Sequence, residues 1–102
     1  MRVISELPLR NYAIAHRDVA DEIHYLTQEL KKATWRQPLD VQNSGLAVRF
    51  ISNERWVFNL LHNRYRLIVQ IVFSPEPYQS QAFIRFIGSH ADYDRIPDKS
   101  TV

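Results

Sequence analysis

Between Arg55 and Ile87 the chain carries three apolar runs rich in β-branched and aromatic residues, separated only by short polar breaks. Arg55-Trp56-Val57-Phe58-Asn59-Leu60 is the first. Leu61-His62-Asn63 interrupts it, and Arg64 to Phe73 is the second. After Ser74-Pro75-Glu76-Pro77, Gln81 to Ile87 makes the third, and Gly88 closes it. Such runs read as successive strands, with His62-Asn63 as a hairpin signal. The second run has two faces. Tyr65, Leu67, Val69, Ile71 and Phe73 suit a core under helices, whereas Arg64, Arg66, Ile68, Gln70 and Val72 form a mixed face open to other work. In the third, Ala82, Ile84 and Phe86 alternate with Phe83, Arg85 and Ile87, which places Arg85 on a face with two large apolar neighbours. Immediately beyond Gly88 come Ser89, His90, Tyr93 and Asp94. A sheet that delivers titratable groups off a strand end is a platform on which an active site can be built.

The first half reads differently. Arg2-Val3-Ile4 is a candidate edge strand. Leu7 to His16 is helix-like, with Pro8 where a first turn tolerates it. From Asp18 to Ala33 the apolar residues Val19, Ile23, Leu26 and Leu30 recur at helical spacing, with Asp18 as the expected N-cap. Acids lead this helix and Lys31-Lys32 close it, which suits its macrodipole. Trp35 to Leu46 has no sustained period and reads as a connection with at most one turn of helix; Trp35 is expected to clamp the helix pair. Ala47 to Ile51 reads as a strand, and Asn53-Glu54 as the turn into Arg55. Helices first and antiparallel strands after them predict an α+β fold, an N-terminal helix pair packed on a twisted antiparallel sheet, with residues 1–102 as one domain.

Composition removes several chemistries. There is no cysteine, so a disulfide framework, a thiolate zinc site and a cysteine nucleophile are all excluded. With Gly45 and Gly88 as the only glycines, no Walker loop or dinucleotide fingerprint can be built. No apolar run approaches spanning length and no signal-peptide core is visible, so a cytoplasmic protein without membrane contact is expected. The net charge of +2 is mild, but six of the seven basic residues from Arg49 onward are arginine. Arginine forks onto phosphate oxygens in two-point geometry, which permits a face for nucleic acid without requiring one.

The series Trp56-Val57-Phe58-Asn59, Asn63-Arg64-Tyr65-Arg66-Leu67, Phe83-Ile84-Arg85-Phe86-Ile87 and Ser89-His90-Ala91-Asp92-Tyr93-Asp94 closely resembles the HigB family of bacterial toxins. Ala33-Thr34-Trp35 and Pro38-Leu39-Asp40-Val41 also fit the family's middle. Ser89 stands where Thr is usual, Asp92 where Glu is usual, and Leu61-His62 where Gly-Gly is common. The resemblance implies an mRNA-cleaving toxin related to RelE, acting with the ribosome, without a cofactor, and neutralised by a cognate HigA-type helix-turn-helix antitoxin.

Within that frame five residues are catalytic candidates. His90 can exchange a proton near neutral pH, and Tyr93 and Asp94, three and four residues on, join it if the segment turns as a helix. A surface or capping histidine is the plainer reading. Arg66 and Arg85, on adjacent strands, could stabilise charge on a phosphate's non-bridging oxygens. Alternatively they form ion pairs with a carboxylate such as Asp94. Tyr93 could stack on a base or supply a phenolic proton, or simply pack against Trp56 or Phe86. Asp94 is better placed to orient His90 or an arginine than to act as a base. Arg64, Lys31 and Lys32 are candidate RNA contacts, although a solvated helix end explains the two lysines as well. His90-x-Asp92-x-Asp94 converges on a metal only from a strand and has few acids around it, so no metal site is expected. Two other functions fit the same residues: a non-catalytic RNA- or ribosome-binding module, and a pure interaction protein using Ile68 and Val72.

Overall fold

The computed structural model describes residues Met1 to Val102. In chain order the elements are β1 (Arg2–Ile4), α1 (Leu7–Ala15), α2 (Arg17–Lys32), α3 (Pro38–Gln42), β2 (Val48–Ser52), β3 (Arg55–Leu60), β4 (Tyr65–Val72), β5 (Gln81–Ser89) and α4 (His90–Asp94). Strands β2 to β5 form an antiparallel meander within a sheet of order β1-β5-β4-β3-β2. The sheet is nonetheless mixed, because β1 runs parallel to β5, with Arg2 opposite Gln81 and Ile4 opposite Phe83. The edge strand expected over Arg2-Val3-Ile4 is present and precedes α1 and α2, and its parallel pairing is what departs from the antiparallel sheet expected. A meander leaves the outer edge of its last strand unpaired, and β1 covers the first part of that edge.

One sheet face meets the helices. Trp56, Phe58 and Leu60 of β3, Leu67, Val69 and Ile71 of β4, and Ala82 and Ile84 of β5 join Leu9 of α1 and Val19, Ile23, Leu26 and Leu30 of α2 in one core. The i, i+4 stripe read from α2 is the stripe buried. Asp18 does not cap this helix: the N-cap position belongs to His16, and both carboxylate oxygens of Asp18 accept from the Tyr65 hydroxyl, at 3.0 and 2.8 Å. The opposite face carries a smaller cluster, Val57, Ile68 and Tyr93, with Ile51, Phe86, Ile96 and Val102 packed around it. The C-terminal segment crosses this second face. Asn53 Nδ2 donates to the Ser100 carbonyl at 2.8 Å and Arg55 Nη2 to the Val102 carbonyl at 2.7 Å.

Two irregularities shape the end of the sheet that carries the polar cluster. The register of β4 and β5 shifts between Ile68 and Val69, which face Phe86 and Ile84 respectively, leaving Arg85 as the extra residue of a bulge. A bulge reverses the alternation beyond it. Ile87 consequently faces the helices and Phe86 the second face, opposite to the simple alternation expected from the sequence. The β3–β4 turn is the other irregularity. Leu61, His62 and Asn63 all have positive φ (47, 52 and 72°), a region that β-carbons disfavour. The Leu61 amide is held there by the Glu22 carboxylate.

Candidate active site

The site lies where β4 begins and β5 ends. Arg66 pairs with Gly88 on one side and Asn59 on the other, all on the second sheet face. A β-carbon at Gly88 would sit 2.6 Å from Cζ of Phe86, so the missing side chain is what lets the Phe86 ring lean over this rung. Phe86 in turn meets the Tyr93 ring at 6.4 Å between centroids. Tyr93 is buried, and Arg66 Cζ lies 5.7 Å and Lys99 Nζ 4.8 Å from its centroid. Two cations thus share the field of one aromatic ring.

Arg66 is only 8 % exposed, yet no carboxylate pairs with it. Its Nη1 donates to the Asn63 carbonyl at 2.7 Å, which ties the guanidinium to the strained turn. Its Nε, and Oδ1 of the neighbouring Asn59, are buried without a partner. A buried cation lacking a counter-charge is costly to the fold and attractive to an anion. The ion pair with Asp94 that would have made Arg66 purely structural is absent.

Asp94 instead holds His90. Ser89 is the N-cap of α4, its hydroxyl accepting from the Asp92 amide at 3.1 Å, and the His90 amide donates to the Arg64 carbonyl at 2.8 Å. One helical turn then sets His90 Nδ1 2.8 Å from Asp94 Oδ2. This pairing turns Nδ1 toward the carboxylate and leaves Nε2 as the ring nitrogen that Asp94 does not engage. Tyr93, on the buried side of the same turn, points to Arg66. The short helix thus carries two contacts, His90 with Asp94 and Tyr93 with Arg66.

Arg85 takes part in neither. It shares the second face, but its Nε and Nη2 donate to Gln70 Oε1 at 3.0 and 2.5 Å, and its Cζ lies 5.3 Å from the Phe83 ring. Gln70 is four residues beyond Arg66 along β4, about 13 Å at strand rise. Lys31 and Lys32 are farther still. They end α2 beside Met1, whose amino group donates to the Lys31 carbonyl at 2.9 Å, at the Gln81 end of β5 and about 27 Å from Ser89. Lys31 also pairs with Glu6 at 2.8 Å. Arg64 is exposed in the turn next to His90.

On the helix side of the same strand end, Tyr12 and His16 stack at 3.8 Å and Tyr65 meets both edge-on. The Asp18 hydrogen bond raises the Tyr65 pKa above its ordinary range; burial, and then the charges of Asp92 and Asp18, raise that of Tyr12. No group of three His, Asp or Glu side chains is arranged to hold a metal: Asp92 turns to Arg95 at 3.2 Å while His90 and Asp94 pair with each other. The sequence offers no role for Lys99, Gly88 or Asn59, whereas Phe86 is a packing partner it names for Tyr93. Of these three, Asn59 carries a signal, as the last residue of Trp56-Val57-Phe58-Asn59.

Residues 19–96 match the family model for HigB toxins, described as the RelE-like toxic component of a toxin-antitoxin system. The chain belongs to this family. As a HigB-family toxin it has an antitoxin for a partner, and the match spans α2 to α4, hence the whole cluster from Asn59 to Asp94. It leaves out β1, α1 and the segment carrying Lys99. No curated protein matches the chain. No helix of this HigB-family toxin is long and apolar enough to cross a membrane.

Proposed function

We propose that this toxin is a ribosome-dependent endoribonuclease that cleaves translated mRNA by attack of the substrate's own 2′-hydroxyl on the adjacent phosphorus, with no metal in the reaction. The observation that carries the reading is the pairing of His90 with Asp94, which frees Nε2, beside a buried Arg66 that has no counter-charge. In the step, the 2′-oxygen gives its proton to His90 Nε2 and bonds to phosphorus. The bond from phosphorus to the 5′-oxygen breaks, and that oxygen takes a proton from the Tyr93 phenol, which solvent restores. The products are a 2′,3′-cyclic phosphate and a 5′-hydroxyl. Asp94 holds the imidazolium in place, and Arg66 stabilises charge on the non-bridging oxygens. Arg85 and Arg64, set apart on either side of this centre, contact flanking phosphates.

The mild charge of +2 gives little hold on free RNA. The ribosome supplies the positioning, which can account for much of a barrier reduction. The antitoxin in this reading is a HigA-type helix-turn-helix protein, and both act in the cytoplasm. The test is a purified translation system programmed with one message, compared with the same message free in buffer. Cleavage confined to the translated message supports the reading. Equal cleavage of both removes the ribosome from it, and intact message in both leaves a binding module.

A further inference from the structure

A second concave surface lies between α1 and α2, on the side of the helices away from the sheet. Two adjoining cavities of about 430 and 390 Å³ share Ala13, Ile14 and Ala20. The floor is apolar and small, with Ala13, Ala20 and Ile23, so the helices leave a channel where larger side chains would have closed it. Ile14 stands at its wall 74 % exposed, and Leu7, two turns earlier on the same side of α1, is 60 % exposed. Single exposed apolar residues are ordinary, but Ile14 lines both cavities of this groove.

The rim carries the discriminating information. Arg10, Arg17 and Lys31 line it, with His24, against Glu6 and Asp21. Glu6 is shared by Arg10, at 3.4 Å, and Lys31, at 2.8 Å, and neither Arg17 nor Asp21 has an ion pair. The groove is therefore apolar within, and its mixed edge carries one positive charge in excess, at the end where Arg10 and Lys31 share Glu6. This complements an amphipathic helix with one apolar ridge and acidic flanks. It is a poor match for a second copy of the same groove, whose rim carries the same excess. Family membership supplies the need for such a partner, since the toxin has an antitoxin, and α1 lies outside the matched residues 19–96.

We infer that the α1–α2 groove is a docking site for the antitoxin, which inserts an acid-flanked apolar helix against Ile14, Ala13 and Ala20. The inference rests on the toxin assignment but not on the chemistry proposed for His90 and Arg66. Ile14→Glu places a like charge opposite the acidic flanks on a side chain that the fold does not bury. Arg17→Glu reverses an unpaired rim charge. The probe is the antitoxin encoded beside the toxin, titrated against full-length toxin and each variant by calorimetry. Ile14→Glu should weaken binding roughly 30-fold or more, the scale of an interface hot spot. Arg17→Glu should weaken it less and flatten its dependence on salt. Melting temperature and message cleavage should stay at the wild-type level in both, and growth arrest by Ile14→Glu should resist co-expressed antitoxin. Unchanged affinity in both variants overturns the inference, as does affinity lost only when Arg66 or His90 is changed. A wild-type homodimer that Ile14→Glu dissolves, with antitoxin binding intact, would assign the groove to a second copy. A toxin that binds antitoxin through the groove but cleaves nothing would leave this inference standing and remove the nuclease.

Discussion

Replacing Arg66 with alanine should separate chemistry from scaffold, and the structure sets the size of each effect. The side chain contributes a charge-assisted hydrogen bond to the Asn63 carbonyl, about 1.5–3 kcal/mol, and a contact with the Tyr93 ring, about 0.5–2 kcal/mol. Against these stands the desolvation of a cation that no carboxylate compensates. Removing it strands no buried acid, so the net loss should be about 1–3 kcal/mol, or about 4–8 °C of melting temperature per kcal/mol in a domain of this size. The catalytic loss should be larger. Losing one donor to a developing oxyanion lowers single-turnover rates by about 10²–10³. Arg66→Lys should recover only part of this, because an ammonium keeps the charge without the fork. Leu30→Ala is the control: Leu30 is fully buried and remote from the site, and the change should cost about 2–5 kcal/mol while leaving the cleavage rate per folded molecule intact. The assay is single-turnover cleavage of ribosome-bound message with melting curves on the same preparations. An Arg66→Ala protein that is folded and fully active would refute the assignment. So would a rate loss no greater than that of Leu30→Ala at equal folded fraction.

Three further outcomes are expected. Arg85→Ala should leave the melting temperature nearly unchanged and raise the apparent KM for ribosome-bound message more than it lowers kcat, since its guanidinium is exposed and held by Gln70; a pure kcat loss would return it to the scissile phosphate. His62→Gly should stabilise the protein by about 0.5–1 kcal/mol, because an exposed residue at φ 52° is relieved of left-handed strain; a lower melting temperature would contradict this. The Tyr65 pKa is raised by Asp18 and that of Tyr12 by burial, so the fold favours both neutral phenols. Their contribution is complete below the unfolded value near pH 10 and is lost as pH rises through the higher folded values. Denaturant titrations above about pH 10 should therefore show a fall in stability that Tyr65→Phe reduces, and an identical fall in that variant would refute the coupling.

Much of this architecture was visible in the sequence because burial imposes period. The Val19-Ile23-Leu26-Leu30 stripe and the Tyr65-Leu67-Val69-Ile71 face are the same residues that meet across the core. The grouping of His90 with Asp94 was legible too, since four residues are one helical turn. What was hidden depended on a single residue or on tertiary placement. The bulge at Arg85 leaves no mark in an alternating sequence, yet it moves Phe86 to the working face and Ile87 to the core. Asp18 had the composition of a cap, but a tyrosine 47 residues away captured its carboxylate. Lys31 and Lys32 look like RNA contacts by charge alone, and only the parallel β1–β5 pairing shows them at the far end of the sheet. Lys99 joins Arg66 at Tyr93 because the C-terminal segment folds back over the second face, which no local pattern encodes.

The chemistry of the cut ends tests the central claim most directly. Message recovered from a translation reaction with the purified toxin should carry 5′-hydroxyl and 2′,3′-cyclic phosphate termini at the cut, with the same ends, formed far more slowly, when His90 is replaced by glutamine. A cut that leaves 5′-phosphate and 3′-hydroxyl ends would contradict attack by the 2′-hydroxyl, and with it the roles given to His90, Asp94 and Arg66.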